Sequence, residues 1–200
     1  MELLLKKTSH TKLPITVLLL LVLIPHVHPT SSGSKPSQAS LNFIVQSCNT
    51  TTYPSQCIKT LTPYASNVGT NPLKLCNAAL AVAIKATSNC SATVSKLSSQ
   101  KGITRAEGSA IKECIGELKD AVYELKETVS AMGHLGDADR EFQWANAKTY
   151  ASAAITDAET CIDGFLGRKA SLKVKRKIRG CVSEVEKYIS NALSLINHLY

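Results

Sequence analysis

A chain of 200 residues carries 23 Lys+Arg against 15 Asp+Glu, a formal net charge of +8, with seven cysteines and only 5% aromatic residues. That length builds one domain around one core once an N-terminal segment is set aside. The positive excess favours polyanions, but it is too mild and too poor in interleaved aromatics to point to nucleic acid.

Lys6, Lys7 and Lys12 flank an unbroken apolar run, LPITVLLLLVLI, from Leu13 to Ile24, and small polar residues follow it (Thr30, Ser31, Ser32, Gly33). This order describes a secretory signal peptide over residues 1–30. The run is shorter than the about 20 apolar residues that a bilayer span needs. No membrane span is expected, and the mature protein is expected outside the cell. Residues 31–40, SSGSKPSQAS, are polar and unpatterned and read as a flexible leader.

Residues 41–67 contain SCNTTTYPSQC, where Cys48 and Cys57 flank a turn-forming stretch. Pro54 and Pro63 permit only short helices here. Asn49-Thr50-Thr51 is a glycosylation sequon, and Asn89-Cys90-Ser91 is a second.

From residue 72 the pattern is helical. Segment 72–98 begins with Pro72, which suits a first helical turn, and offers Leu73, Cys76, Leu80, Ala83, Cys90, Val94 and Leu97 as its apolar seam. Thr104 and Glu107 form a capping box ahead of Ile111, Ile115, Leu118, Val122, Leu125, Val129 and Met132, which recur at steps of four and three. Gly133 and Gly136 end that helix. Segment 138–166 is alanine-rich, with Trp144, Ala151, Ile155, Ala158, Ile162 and Phe165 on one face. The last seam runs through Val174, Ile178, Cys181, Val185, Tyr188, Ala192, Leu195 and Leu199. Four such helices joined by short turns predict an all-α fold: an antiparallel up-down-up-down four-helix bundle over 72–199.

In a secreted chain the cysteines imply disulfides. Cys76 and Cys90 lie on one helix, about 21 Å apart at 1.5 Å per residue, too far to pair. Cys181 occupies a seam position and reads as a small buried hydrophobe. A local Cys48–Cys57 bridge is the economical choice. That leaves Cys114–Cys161 across neighbouring antiparallel helices, with Cys76, Cys90 and Cys181 as candidate free thiols.

Signs of catalysis are missing. There is no C-x-x-C, no closely spaced zinc-ligand pair, no G-x-S-x-G and no phosphate-binding glycine loop. After the signal segment only His134 and His198 remain, and they suggest no nucleophile–base set. Acid pairs such as Asp137/Asp139 and Glu184/Glu186 read as solvated helix faces. No cofactor and no metal is expected, and a binding protein is the better reading. The run Arg168, Lys169, Lys173, Lys175, Arg176, Lys177, Arg179 contains no acid, and it reads as a solvated helix start or as contact with a polyanion.

The assembled pattern resembles the plant invertase and pectin methylesterase inhibitors. The resemblance covers residues 40–199 and rests on CNTTTYPSQC at 48–57, VSKLS at 94–98, ECIGELKDAVYEL at 113–125, AITDAETCIDGF at 154–165 and SNALSLI at 190–196. It implies an N-terminal helical hairpin (41–67) extending the bundle, disulfides Cys48–Cys57 and Cys114–Cys161, and function as a non-enzymatic inhibitor. Members occlude the cleft of either pectin methylesterase or acid invertase in a stoichiometric protein complex. The invertase inhibitors carry Pro-Lys-Phe near the start of the third bundle helix. The matching stretch here reads GDADREFQWANAK, which favours pectin methylesterase as partner, with acid invertase as the alternative. A further alternative is a cell-wall protein binding pectin through the basic run 168–179. By motif match Thr160 and Asp163 are expected in the inhibitory face. Tyr123, Gln143 and Trp144 are added as large amphipathic side chains of the kind enriched at interface centres. Cys76, Cys90 and the Asn89 sequon depart from the family pattern.

Overall fold

The computed structural model describes residues 35–166 and 170–200. The expected signal peptide, residues 31–34 of the leader, and Arg168 and Lys169 of the basic run lie outside the described residues. The helices are α1 (Gln38–Cys48), α2 (Pro54–Leu61), α3 (Ala65–Val68), α4 (Pro72–Ser98), α5 (Arg105–Gly133), α6 (Arg140–Leu166) and α7 (Leu172–Asn197), with a 3₁₀ turn at Thr62–Tyr64 between α2 and α3. Helices α4 to α7 form the antiparallel bundle, and α1 to α3 form the helical hairpin extension. α1 begins at Gln38, within the stretch read as leader. Ser37 caps it by accepting from the Ser40 amide at 3.1 Å.

Local chemistry explains the starts of the long helices. Asn71 accepts from the Lys74 amide at 2.9 Å, with Pro72 behind it. Thr104 accepts from the Glu107 amide while Glu107 Oε2 accepts from the Thr104 amide at 2.9 Å, completing the capping box. Ser171 caps α7 through the Val174 amide. Gly102, at φ +87°, turns the chain between α4 and α5 in a region that other residues rarely adopt.

The buried seams differ from the expected ones in an instructive way. α4 buries Cys76, Leu80, Ala83, Thr87, Cys90, Val94 and Leu97, close to expectation. α6 buries Ala147, Ala151, Ala154, Ala158, Cys161 and Phe165. α5 faces it with Ala110, Cys114, Leu118, Ala121, Leu125 and Thr128. Small side chains let the two backbones approach closely, and Cα atoms of Cys114 and Cys161 stand 4.2 Å apart. The branched residues are displaced to the flanks: Ile115, Val122, Ile155 and Ile162 are half-buried, and Val129 is exposed. On α7, Val182 and Ile189 take the buried places expected for Cys181 and Tyr188.

Three disulfides bind these parts. Cys48–Cys57 closes the hairpin loop, Cys114–Cys161 joins α5 to α6, and Cys90–Cys181 joins α4 to α7 with Cα atoms 5.6 Å apart. The last pair corrects the expectation that Cys90 and Cys181 are free. A half-buried position on the α7 flank aims Cys181 at α4 instead of the bundle centre. Cys76 is the free thiol; it is buried, and burial pushes its pKa up to about 12, so it is inert.

The hairpin docks on α7 through polar contacts. Buried Asn191 accepts from the Tyr53 amide at 2.8 Å and donates to the Tyr53 carbonyl at 3.0 Å. Gln56 donates to Glu184 Oε2 and to the Tyr188 hydroxyl. No strand occurs among the described residues, and no helix among them is long and apolar enough to cross a membrane.

Candidate functional site

The five expected contact residues do not form one patch. Thr160 and Asp163 share the exposed outer face of α6 near its C-terminal end. Gln143 and Trp144 sit at its opposite end, and Trp144 is about 24 Å from Thr160 at ~1.5 Å per helical residue. Tyr123 is 59% exposed on α5. The antiparallel pairing fixed by Cys114–Cys161 brings it level with the middle of α6.

Their surroundings divide them by role. Thr160 donates its hydroxyl to the Thr156 carbonyl at 2.8 Å and leaves its methyl and oxygen lone pairs toward solvent. Asp163 is exposed, and its charge reaches Glu186 on α7, where burial first, and then Glu159 and Asp163, hold the carboxyl above its ordinary range. Gln143 donates to Asp139 Oδ2 at 2.8 Å within its own helix start. Trp144 is half-buried, donates Nε1–H to the Ile196 carbonyl at 2.8 Å and meets Tyr200 edge-on. Trp144 therefore pins α6 to the end of α7. Beside it, Phe142 projects 63% exposed from the first turn of α6, in the stretch matched to the invertase inhibitors' tripeptide.

An acidic groove between α5 and α6 was missed by the sequence reading. Half-buried Asp157 faces Glu117, Asp120 and Glu124, and its pKa is pushed up to about 6, by burial first and then by those carboxylates. The Glu124 Oε2 atom is buried without a hydrogen-bond partner. The signal was present: Glu117, Asp120 and Glu124 recur at steps of three and four beside the α5 seam, a spacing that puts them on one side of the helix. Among the described residues no group of three His, Cys, Asp or Glu side chains could hold a metal ion. The two sequon asparagines, Asn49 and Asn89, are both exposed.

The family model described as plant invertase/pectin methylesterase inhibitor matches residues 42–195. The chain is 37% identical over 188 residues to Pectinesterase inhibitor 9 of Arabidopsis thaliana, covering 91% of this chain and 92% of that one. It is 37% identical over 177 residues to Pectinesterase inhibitor 11 of the same plant, covering 84% and 88%. The 21 kDa protein of Daucus carota is 35% identical over 159 residues, covering 78% and 82%. In fold, the chain is similar to the crystal structure of a mutant form of a pectin methylesterase inhibitor from Arabidopsis, with a TM-score of 0.59 at 20% identity over 76% of this chain and 94% of that one.

Proposed function

Because the chain belongs to the plant invertase/pectin methylesterase inhibitor family, we propose that it is a secreted inhibitor of pectin methylesterase that covers the enzyme's pectin-binding cleft in a 1:1 non-covalent complex. The observation that carries this reading is its similarity, across most of both chains, to proteins named pectinesterase inhibitors. The proposed setting is outside the cell, in the plant cell wall, where disulfides persist. Three disulfides stiffen the bundle, so little conformational freedom is lost on docking, which favours affinity. Thr160 and Asp163 are both exposed on α6, open to a partner.

The test is de-esterification of pectin by a plant pectin methylesterase with the purified protein at equimolar concentration. Inhibition is expected, and Thr160→Lys and Asp163→Lys variants should each weaken it by about tenfold or more, as substitutions at an interface centre do. Full enzyme activity in molar excess of the protein overturns the proposal. Acid invertase is the second reading, favoured by one observation: exposed Phe142 at the start of α6. Inhibition of invertase that is lost in Phe142→Ala, with the esterase unaffected, would select it.

A further inference from the structure

The starts of α5 and α7 meet at one end of the bundle, because Glu107 of α5 accepts from the Ser171 amide at 2.8 Å. Along the start of α7 the charge has one sign. The first turns of α7 carry Lys173, Lys175, Arg176, Lys177 and Arg179, and the first acid of that helix is Glu184. Among the described residues, none of these five cations takes part in a hydrogen bond or ion pair through its side chain. The end of α4, the connection after it and the start of α5 add exposed Lys96, Lys101 and Arg105. Of the acids at this end, Glu107 is buried and already bonded to Thr104 and Ser171, and Asp163 is exposed on neighbouring α6. Leu172, Lys175, Arg176, Arg179, Gly180 and Ser183 line an open concavity of about 480 Å³ along the helix.

We propose that this basic start of α7 is a second binding surface, bordering the inhibitory face expected on α6, that holds a linear polyuronate: a stretch of pectin whose methyl esters have been removed. Such a chain presents one carboxylate per sugar without intervening cations, which matches a helix start whose cations have no intervening acid before Glu184. A folded protein's acidic face mixes both signs. A lipid surface would require a row of apolar residues beside the cations, and Leu172 is the large exposed hydrophobic of this helix. A single-stranded nucleic acid would require stacking aromatics, which this end lacks. The choice of polyuronate rests on the proposed role as a pectin methylesterase inhibitor, since ester hydrolysis converts a neutral galacturonate ester into a carboxylate and methanol. The inhibitor would thus be retained where the esterase has already acted.

The experiment measures binding of the purified protein to polygalacturonate and to fully methyl-esterified pectin, in the absence of any esterase. Binding to the first and not the second is expected, weakening as salt shortens the Debye length from ~8 Å at 0.15 M. A variant with Lys173, Lys175, Arg176, Lys177 and Arg179 changed to Gln should bind at least about tenfold more weakly, whereas a matched variant with Lys74, Lys85, Lys112, Lys119 and Lys126 changed to Gln should stay within about twofold. Exchanging Lys for Arg and Arg for Lys at the five α7 positions should retain binding, and circular dichroism checks that each variant is helical. Equal loss in both Gln variants would show a mere net-charge effect and overturn the proposal. So would unchanged binding in the α7 variant, or binding to phosphatidylserine vesicles without binding to polygalacturonate. A separate esterase assay distinguishes the two roles: a protein that binds polygalacturonate but does not inhibit refutes only the proposed function. An α7 variant that loses inhibition with polysaccharide binding intact assigns the surface to the enzyme complex instead.

Discussion

At the start of α6 the indole of Trp144 bonds to the Ile196 carbonyl, packs against Tyr200 and carries the Lys148 ammonium 3.7 Å from its ring centre. Each contact is made within the chain, so the side chain has little left to offer a partner. The Ile196 carbonyl also accepts from the Leu199 amide at 3.2 Å, so removing the indole N–H would not leave it unpaired. Trp144→Phe should therefore cost about 1 kcal/mol, the worth of one hydrogen bond, read as a lower urea midpoint. Inhibition of the esterase should stay within about twofold of the parent. Lost inhibition at unchanged stability would make Trp144 a contact residue instead. Thr160 and Asp163 differ from it in kind: both project from an exposed helix edge, and neither links α6 to another element in a hydrogen bond.

The long elements show which signals in a sequence report structure directly. Helix starts were legible because a cap is a local contract: Thr104 with Glu107 names the first turn of α5 whatever packs on it. Seams were less legible. The expected faces held Ile111, Leu118, Leu125, Met132, Ala151, Ala158 and Phe165, which are buried, but also Ile115, Val122, Val129 and Ile155, whose places go to Cys114, Ala110, Ala121, Ala147 and Ala154. Hydrophobicity ranks side chains by area, whereas close helix pairing selects small ones, and the two criteria shift the face by a fraction of a turn. That shift also hid Cys181, whose position on the flank of α7 brings it to Cys90 of α4. The paired motifs, in contrast, have a physical meaning: CNTTTYPSQC and SNALSLI meet where Asn191 holds the Tyr53 backbone. Of the contact residues, the motif alone suggested Thr160 and Asp163, and nothing in local pattern separates a binding edge from a solvated one. The Cys90–Cys181 bridge closes a long loop of chain, for which the entropy model gives about 4–5 kcal/mol and removal of native bridges typically 2–5. A Cys90→Ser/Cys181→Ser variant should lose about 2–5 kcal/mol, read as a lower urea midpoint, while keeping its helical spectrum. An unchanged midpoint would mean that α4 and α7 are held together by packing alone.

For the molecule as a whole, three carboxyls make opposing demands on pH. Glu107 is held from its ordinary 4.5 down to about 2, first by the Ser171 amide and then by Thr104. Its contribution is therefore complete above 4.5 and lost as pH falls toward 2. Asp157 is pushed from 3.8 up to about 6 by burial and by Glu117, Glu124 and Asp120. Its ionisation in the folded state costs stability that grows as pH rises from 3.8 through 6, and Glu186, also raised, acts in the same sense. Lys187, held by Glu184 at 2.7 Å, loses its contribution only as pH rises beyond 10.5. Stability should thus peak on the acid side of neutrality, near pH 4 to 5, where Glu107 is ionised and Asp157 still carries its proton. Thermal unfolding across pH 2–8 checks this. Asp157→Asn should flatten the decline between pH 4 and 6, by roughly 1 kcal/mol after allowance for solvent screening at this half-buried site. Glu107→Gln should lower the midpoint at pH 6 and remove the fall toward pH 2. If the parent is instead most stable above pH 7, the acidic groove does not strain the folded state, and α5 and α6 tolerate their facing carboxylates in the charged form.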